Sequence, residues 1–190
     1  MEEFFEYALR HTFGEEGGYA NVKGDPGGPT NIGVTLETMQ KALGTGADLN
    51  HDGKVDAEDV KLLTREQAAA IYRAWYWREP GFDLIGDIRV AAKVFDIGVN
   101  AGPRVATILL QRAIAHSAPP GVAHPRDDGV LGPRTLATLA ACDPEIVVAA
   151  LCSEQKLFYL SCIEHDPVKV KFKDGWLKRA GWVPGERNLA

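Results

Sequence analysis

The sequence predicts a mainly α-helical fold with one small β-hairpin near the N-terminus and a helical C-terminal lobe. Apolar residues recur at helical spacing over most of the chain, whereas the stretch 19–34 is too rich in glycine and proline for a helix. The composition is that of a globular protein, with 45% hydrophobic and 25% charged residues among 190. Disorder, collagen and coiled coil are excluded, and the length suits one compact domain or two small lobes.

The individual elements follow from periodicity and capping residues. Residues 2–13 form one apolar helical face, and Tyr19 to Val34 indicates a small hairpin or irregular ribbon. Thr64 to Gln67 is a capping box that begins a helix through about Arg78. Further helical patterns cover 87–100, 103–115, 133–141 and 143–164. A shift in composition near Pro80 divides the prediction into lobes 1–83 and 84–190.

Two carboxylates near the hairpin are candidates for acid–base chemistry. Glu16 is predicted at the last turn of the first helix, where the helix dipole disfavours a negative charge and raises a carboxyl pKa. Asp25 lies in a glycine-rich turn that would keep it ionised, and Thr30 follows at the far side of that turn. Such pairs perform glycoside hydrolysis. A helix end followed by an ordinary glycine turn is the alternative.

The residues around this pair also resemble a known family. The string EGGYANVKGDPGGPTNIGVT, residues 16–35, resembles the N-terminal signature of the glycoside hydrolase 108 N-acetylmuramidases, which include phage endolysins and secretion activators. The resemblance implies a lysozyme-like α+β fold in which Glu16 is the catalytic acid. The E-x8-D-x4-T spacing is also similar to the Glu, Asp, Thr constellation of phage-type lysozymes, which would assign Asp25 and Thr30 to positioning the attacking water. Tyr19 and Asn31 are predicted to contact the substrate.

The C-terminal half resembles the predicted peptidoglycan domain that follows the catalytic part in this family. The matching strings are FDIGVNAG at 95–102, LQRA at 110–113 and DGVLGPRT at 128–135. Either these residues bind the wall, or they form a two-helix unit with a glycine turn capped by Asp128. Asn100 is predicted to contact substrate; Asn100 and Asp96 would either face a cleft or tie helix ends together.

Four aromatic residues occupy one helical stretch, more than a single core face can absorb. Trp75 is expected in the core, and Tyr76 is expected to line a sugar groove; Tyr72 and Trp77 complete the set.

The segment 48–59 has the pattern of a calcium-binding loop. Oxygen-bearing residues stand at positions 1, 3, 5, 9 and 12, glycine stands at position 6, and position 7 would offer a backbone carbonyl. The predicted ligands of a structural Ca²⁺ are Asp48, Asn50, Asp52, Lys54, Asp56 and Asp59. Aspartate at position 12 resembles dockerin-type loops, and the family core does not require this insertion. A solvated acidic turn is the alternative.

A basic stretch lies near the C-terminus. Residues 166–187 hold six bases against three acids, although the net charge of the chain is −5. Within it, Val168 to Lys173 alternates apolar and basic residues and predicts an exposed extended segment. Its bases would face an anionic envelope or simply water.

Other classes of protein are excluded by the residues present. The sequence has no GxSxG, HExxH, P-loop or GxGxxG motif, and its pI near 5.5 disfavours nucleic-acid binding. No apolar run approaches roughly 18 residues and the N-terminus is acidic, so neither a membrane span nor a signal peptide is expected. The three cysteines are expected to be free thiols.

The expected function is hydrolysis of the β-1,4 bond between N-acetylmuramic acid and N-acetylglucosamine in peptidoglycan glycan strands. The alternatives are a lytic transglycosylase and a non-catalytic, calcium-dependent wall-binding module. We expect a monomer that is made in the cytoplasm as an endolysin and reaches the wall after holin-type release or another export route.

Overall fold

The computed structural model describes residues 2–15, 19–20 and 28–185. It is mainly helical with a two-stranded antiparallel sheet, as the sequence predicts. The α-helices and strands are α1 (Glu2–Glu15), β1 (Thr30–Asn31), β2 (Val34–Thr35), α2 (Leu36–Leu43), α3 (Ala57–Leu62), α4 (Arg65–Tyr72), α5 (Ile88–Ala101), α6 (Pro103–Ser117), α7 (Pro133–Ala140), α8 (Pro144–His165) and α9 (Lys173–Ala180). Short 3₁₀ helices cover Gly44–Ala47, Phe82–Leu84 and Pro167–Phe172, and a π-helix covers Arg73–Arg78.

The chain forms two compact units, residues 9–75 and residues 1–8 with 76–190. The division at residue 83 stays a prediction of the sequence.

In the unit 9–75, a tight turn joins β1 to β2, with Asn31 opposite Val34. Its two central residues have positive φ, 51° at Ile32 and 70° at Gly33, the turn form that suits the twist of a hairpin. Thr35 caps α2 by accepting a hydrogen bond from the Thr38 amide. The predicted capping box of α4 is confirmed, because Thr64 and Gln67 exchange hydrogen bonds.

In the other unit, α5 forms the centre of the core, since every residue from Val90 to Gly98 is buried. Three aromatic rings add to this core in edge-to-face contact. The Trp77 ring lies 5.7 Å from both the Phe5 and the Phe95 ring centroids, and edge-to-face pairs contribute beyond their buried area.

The structure differs from the predicted elements in three places. The predicted helix to Arg78 continues beyond Tyr72 as a π-helix. The predicted extended segment 168–173 is wrong, because Asp166 caps the Val168 amide, Pro167 occupies a first-turn position, and a 3₁₀ helix leads into α9. Helices α2, α3 and α9 had not been predicted.

Helix α8 is long and apolar enough to cross a membrane by length and composition, which corrects the expectation that no such run exists. The central helices of water-soluble proteins pass the same test. Val147, Leu151 and Tyr159 are buried within this unit, and one such helix is weak evidence for a membrane span.

Candidate active site

Two described residues that lie close in sequence to the predicted catalytic pair, Ala20 and Thr30, are paired beside the hairpin. Ala20 and Thr30 form an isolated antiparallel bridge, with N–H···O distances of 2.7 and 2.8 Å. The bridge lies four residues after Glu16 in sequence and encloses the segment that contains Asp25. Glu16 and Asp25 themselves lie outside the described residues. Their catalytic roles stay predictions.

Thr30 is half-buried in β1, and its hydroxyl donates a 3.3 Å hydrogen bond to the Gly28 carbonyl. The hydroxyl oxygen can still accept a hydrogen bond from a water or a sugar hydroxyl. Its position in the bridge holds it opposite Ala20. This geometry is compatible with the predicted positioning role.

The structure places the Asn31 amide against the end of α3. The residue is buried, and its Nδ2 donates to the backbone carbonyls of Val60 at 2.9 Å, Lys61 at 3.3 Å and Leu63 at 3.4 Å. Val60 and Lys61 lie in the last turn of α3 and Leu63 is its C-cap residue, so these carbonyls stand at the helix end, where most have no partner within the helix; the Val60 carbonyl also accepts from the Leu63 amide at 3.3 Å. Asn31 therefore ties the hairpin to α3, and the predicted sugar contact would have to use its carbonyl oxygen.

Tyr19 lies at the surface of this region, with 36% of its area exposed. The Lys61 ammonium lies 5.2 Å from the Tyr19 ring centroid, within cation–π distance. Lys61 also pairs with Glu58 at 2.6 Å, which raises the pKa of the lysine. The ring is thus oriented but still accessible to a ligand.

The hairpin turn is supported from beneath by α4. The Tyr72 hydroxyl donates to the Ile32 carbonyl at 3.1 Å, and the Tyr72 ring packs edge-on against Phe13 of α1 at 5.8 Å. A β-branched residue at positive φ is strained, so this contact helps to hold Ile32 in place. Tyr72 is a scaffold residue rather than part of a sugar groove.

The other aromatic residues of this stretch lie in the π-helix. Trp77 is 3% exposed and belongs to the core, whereas Trp75 and Tyr76 are half-buried. The expectation that Trp75 lies in the core is therefore wrong. Tyr76 keeps some accessible surface, as a sugar-contacting residue requires, and π-helical turns often occur at functional sites.

The predicted metal loop folds around its own oxygen atoms. The Asp48 carboxylate accepts hydrogen bonds from the amides of Asp52 at 3.1 Å and Gly53 at 3.0 Å. Asn50 Oδ1 accepts from the Asp52 amide at 2.9 Å. His51 and Gly53 both have positive φ, so the chain reverses sharply here. The side-chain oxygens of positions 1, 3 and 5 therefore share one tight turn.

Asp56 and Asp59 are used differently. Asp56 caps α3, while the Asp59 carboxylate is buried and accepts from the amides of Leu49 at 2.7 Å, Asn50 at 3.1 Å and Asp56 at 2.8 Å. Backbone hydrogen bonding, first from Asp56, holds the pKa of Asp59 below its ordinary value. Asp59 thus joins both ends of the loop, with about one of its four acceptor positions remaining.

Within the parts of the chain that the structure describes, no group of three His, Cys, Asp or Glu side chains is arranged to hold a metal ion. Two of the predicted metal ligands, the Asn50 side-chain oxygen and the Lys54 backbone carbonyl, are not His, Cys, Asp or Glu side chains. The oxygen-only set is nevertheless the chemistry that Ca²⁺ prefers.

The C-terminal motif residues hold a turn together. Gln111 Nε2 donates to Asp128 Oδ1 at 2.9 Å and to the Val130 carbonyl at 3.0 Å, while its Oε1 accepts from the Gly129 amide at 3.0 Å. Gly129 has φ +76°, and an added Cβ would lie 2.7 Å from Arg104 Cγ. The motif therefore has a packing role, whether or not it also meets the wall.

Asn100 is exposed at the end of α5, and its Oδ1 accepts a 2.6 Å hydrogen bond from the Tyr159 hydroxyl. Burial raises the pKa of Tyr159 to about 12, so the phenol stays a donor at neutral pH. This bond supports the helix-tying alternative for Asn100. The predicted substrate contact would use its remaining amide group.

Comparison with known proteins identifies the family. The family model described as Glycosyl hydrolase 108 matches residues 9–102, and the one described as Predicted Peptidoglycan domain matches residues 105–181. The solved structure of Brucella abortus SagA is similar, with 30% sequence identity, a TM-score of 0.73, and coverage of 95% of this chain and 91% of that chain. No curated protein sequence matched. The chain therefore belongs to the glycosyl hydrolase 108 family, and it is a glycoside hydrolase of peptidoglycan.

Proposed function

We propose that the protein is an N-acetylmuramidase that hydrolyses the β-1,4 bond between N-acetylmuramic acid and N-acetylglucosamine. The observation that carries the proposal is the family match over residues 9–102, which includes the Glu16 motif and the bridge between Ala20 and Thr30. The peptidoglycan domain at 105–181 supports a wall polymer as substrate.

In the proposed mechanism, Glu16 donates a proton to the glycosidic oxygen as the bond to the muramic carbon breaks. Asp25, ionised in its glycine-rich segment, activates the water that attacks this carbon, or stabilises the positive charge that develops on the sugar. Thr30 orients that water through its hydroxyl. Tyr19 offers a ring face on which a pyranose ring can stack. Tyr76 stays a separate predicted sugar contact.

The released end groups test this proposal directly. Purified peptidoglycan is digested and the products are analysed by mass spectrometry, before and after borohydride reduction. Reducing muramic ends are expected. Anhydro-muramic ends would instead establish a lytic transglycosylase, which needs one acid, and reducing glucosamine ends would contradict the assigned bond.

We infer an endolysin role, in which the protein accumulates in the cytoplasm and acts on the wall after holin-type release. Expression in a Gram-negative host tests this inference. Lysis is expected only when a holin is co-expressed. Equal lysis without the holin would show that the chain reaches the wall by another route.

We further propose that the loop 48–59 binds a structural Ca²⁺. Asp48, Asn50 and Asp52 would supply side-chain oxygens, and Lys54 would supply its backbone carbonyl. Asp56 and Asp59 complete the motif and connect the loop to α3. The ion would neutralise the acidic loop and stabilise the segment between α2 and α3, with no part in bond cleavage.

Removal of Ca²⁺ by EDTA is expected to lower the melting temperature, and added Ca²⁺ to restore it. An ion that binds only the folded state stabilises it by about 2.7 kcal/mol when its free concentration is about a hundredfold above Kd. Asp52→Asn should abolish the effect, because it removes a charge but keeps the size of the side chain. Asp174→Asn, an exposed aspartate on α9, is the matched control.

Differential scanning fluorimetry and elemental analysis of the purified protein provide the measurements. An identical melting curve with and without EDTA, in a protein that contains no calcium, would contradict the proposal. A calcium response that Asp52→Asn leaves intact would place the ion elsewhere.

A further inference from the structure

Exposed apolar side chains are concentrated in the 3₁₀ helix that follows α8. Val168 is 70% exposed, Val170 57% and Phe172 47%, and no residue of the helix Pro167–Phe172 is buried. Single exposed apolar residues are common, but a helix in which every large apolar side chain faces water gains little from folding. We call residues 167–173, Pro-Val-Lys-Val-Lys-Phe-Lys, the lysine–apolar segment.

The lysine–apolar segment is firmly attached to the core of its unit. Asp166 begins the 3₁₀ helix by accepting a hydrogen bond from the Val168 amide at 3.3 Å. The Phe172 ring stacks on Trp176 with centroids 5.6 Å apart, and Trp176 stacks on Tyr159 at 4.9 Å. Because Tyr159 is only 1% exposed, this stack connects the exposed phenylalanine to the interior.

The charges of the segment are all positive. It contains three lysines and no acid, in a chain whose net charge is −5. Lys169 contacts Asp166 at 3.6 Å, and Lys171 Nζ lies 4.9 Å from the Phe172 ring centroid. Lys171 and Lys173 are exposed. The segment thus presents apolar side chains flanked by ammonium groups.

This combination matches the surface of an anionic lipid bilayer. Lysines are attracted to lipid phosphates, and valine and phenylalanine side chains enter the boundary between headgroups and acyl chains. A polar glycan strand would complement the charge but would not remove the two valines from water.

We propose that the lysine–apolar segment docks the protein peripherally and reversibly on a bilayer rich in anionic phospholipid. Val170 and Phe172 insert at the boundary, and Lys171 and Lys173 contact phosphates. The attachment would keep the chain beside the membrane that adjoins the wall. It does not depend on the proposed bond specificity, because lipid binding is measured without glycan.

The test is co-sedimentation of the full chain with vesicles of phosphatidylcholine and phosphatidylglycerol in a two-to-one ratio, compared with vesicles of phosphatidylcholine alone. Binding is expected only to the anionic vesicles and should weaken as salt is added. Lys171→Gln/Lys173→Gln should weaken binding by about tenfold or more. Val170→Ser/Phe172→Ser should also weaken it.

The control variant Lys41→Gln/Arg126→Gln removes the same charge from two exposed positions elsewhere and should bind like the wild type. Circular dichroism checks folding, because Phe172 contacts Trp176; the lysine variant leaves that contact intact.

Three results would overturn the proposal. One is equal binding to both kinds of vesicle, or to neither. Another is equal weakening by the control pair, which would indicate a net-charge effect. The third is binding to lipid-free sacculi, lost in the lysine variant, with no binding to vesicles, which would identify the segment as a wall-binding surface.

Discussion

Glu16→Gln is expected to lower the rate of muropeptide release by about a hundredfold to ten-thousandfold, the usual contribution of a general acid. Glutamine keeps the shape of glutamate but has no proton to give to the leaving glycosidic oxygen. Binding of peptidoglycan should change little, since the loss affects the transition state. Quantitative mass spectrometry of released ends over time measures the rate, and sedimentation with sacculi measures binding.

Glu15→Gln is the matched control, because it removes the adjacent carboxylate from the same dipeptide. It is expected to retain activity within a few-fold of the wild type. The reverse pattern, with Glu15→Gln inactive and Glu16→Gln active, would move the acid by one residue. Full activity in both variants would contradict the proposed mechanism, because neither carboxylate would then be the general acid.

Arg179→Met is expected to lower the free energy of unfolding of the unit formed by residues 1–8 and 76–190 by about 3–5 kcal/mol. This is the usual cost of removing one partner from a buried ion pair. Arg179 Nε donates to Asp96 Oδ1 at 3.0 Å, and the side chains are 12% and 1% exposed. Methionine fills similar volume but leaves the Asp96 carboxylate buried without its guanidinium. Urea unfolding followed by circular dichroism measures the loss.

The exposed ion pair between Arg112 and Asp127 serves as the control for the buried pair between Arg179 and Asp96. Arg112 Nε lies 3.1 Å from Asp127 Oδ2, and half of each side chain is exposed; Arg112→Met should cost less than about 1 kcal/mol. The double variant Asp96→Leu/Arg179→Met should recover part of the lost stability, because both charges of this pair are then removed together. Similar losses in the two single variants would show that burial of the Asp96 pair has no special effect.

The Asp96 pair, which ties α5 to α9, belongs to a polar cluster whose other members were not predicted from the sequence. Lys93 is fully buried, and its ammonium donates to the carbonyls of Arg179 at 3.2 Å, Ala180 at 3.1 Å and Trp182 at 2.9 Å. Burial lowers the pKa of this lysine. It caps the C-terminal end of α9 from α5. Its only signal in sequence is a lysine at an inward-facing position of an apolar helix.

The predictions from sequence succeeded where the signal is local. The capping box at Thr64 and the start of α8 after Asp143 depend on hydrogen bonds between near neighbours in the chain. Helical periodicity, which is also local, predicted α5. The alternation of apolar and basic residues at 168–173 wrongly predicted an extended segment. Asp166 and Pro167 begin a 3₁₀ helix there.

The sequence by itself determined the helical fold, the hairpin, the family and the candidate acid at Glu16, because each depends on residues close together in the chain. Only the tertiary structure decided that Asn31 supports α3, that Gln111 holds the turn at Gly129, and that Lys93 and Asp96 anchor α9. These contacts join residues 18 to 87 positions apart. Such pairings arise only when packing excludes water, so that buried polar groups must find their hydrogen-bond partners within the protein.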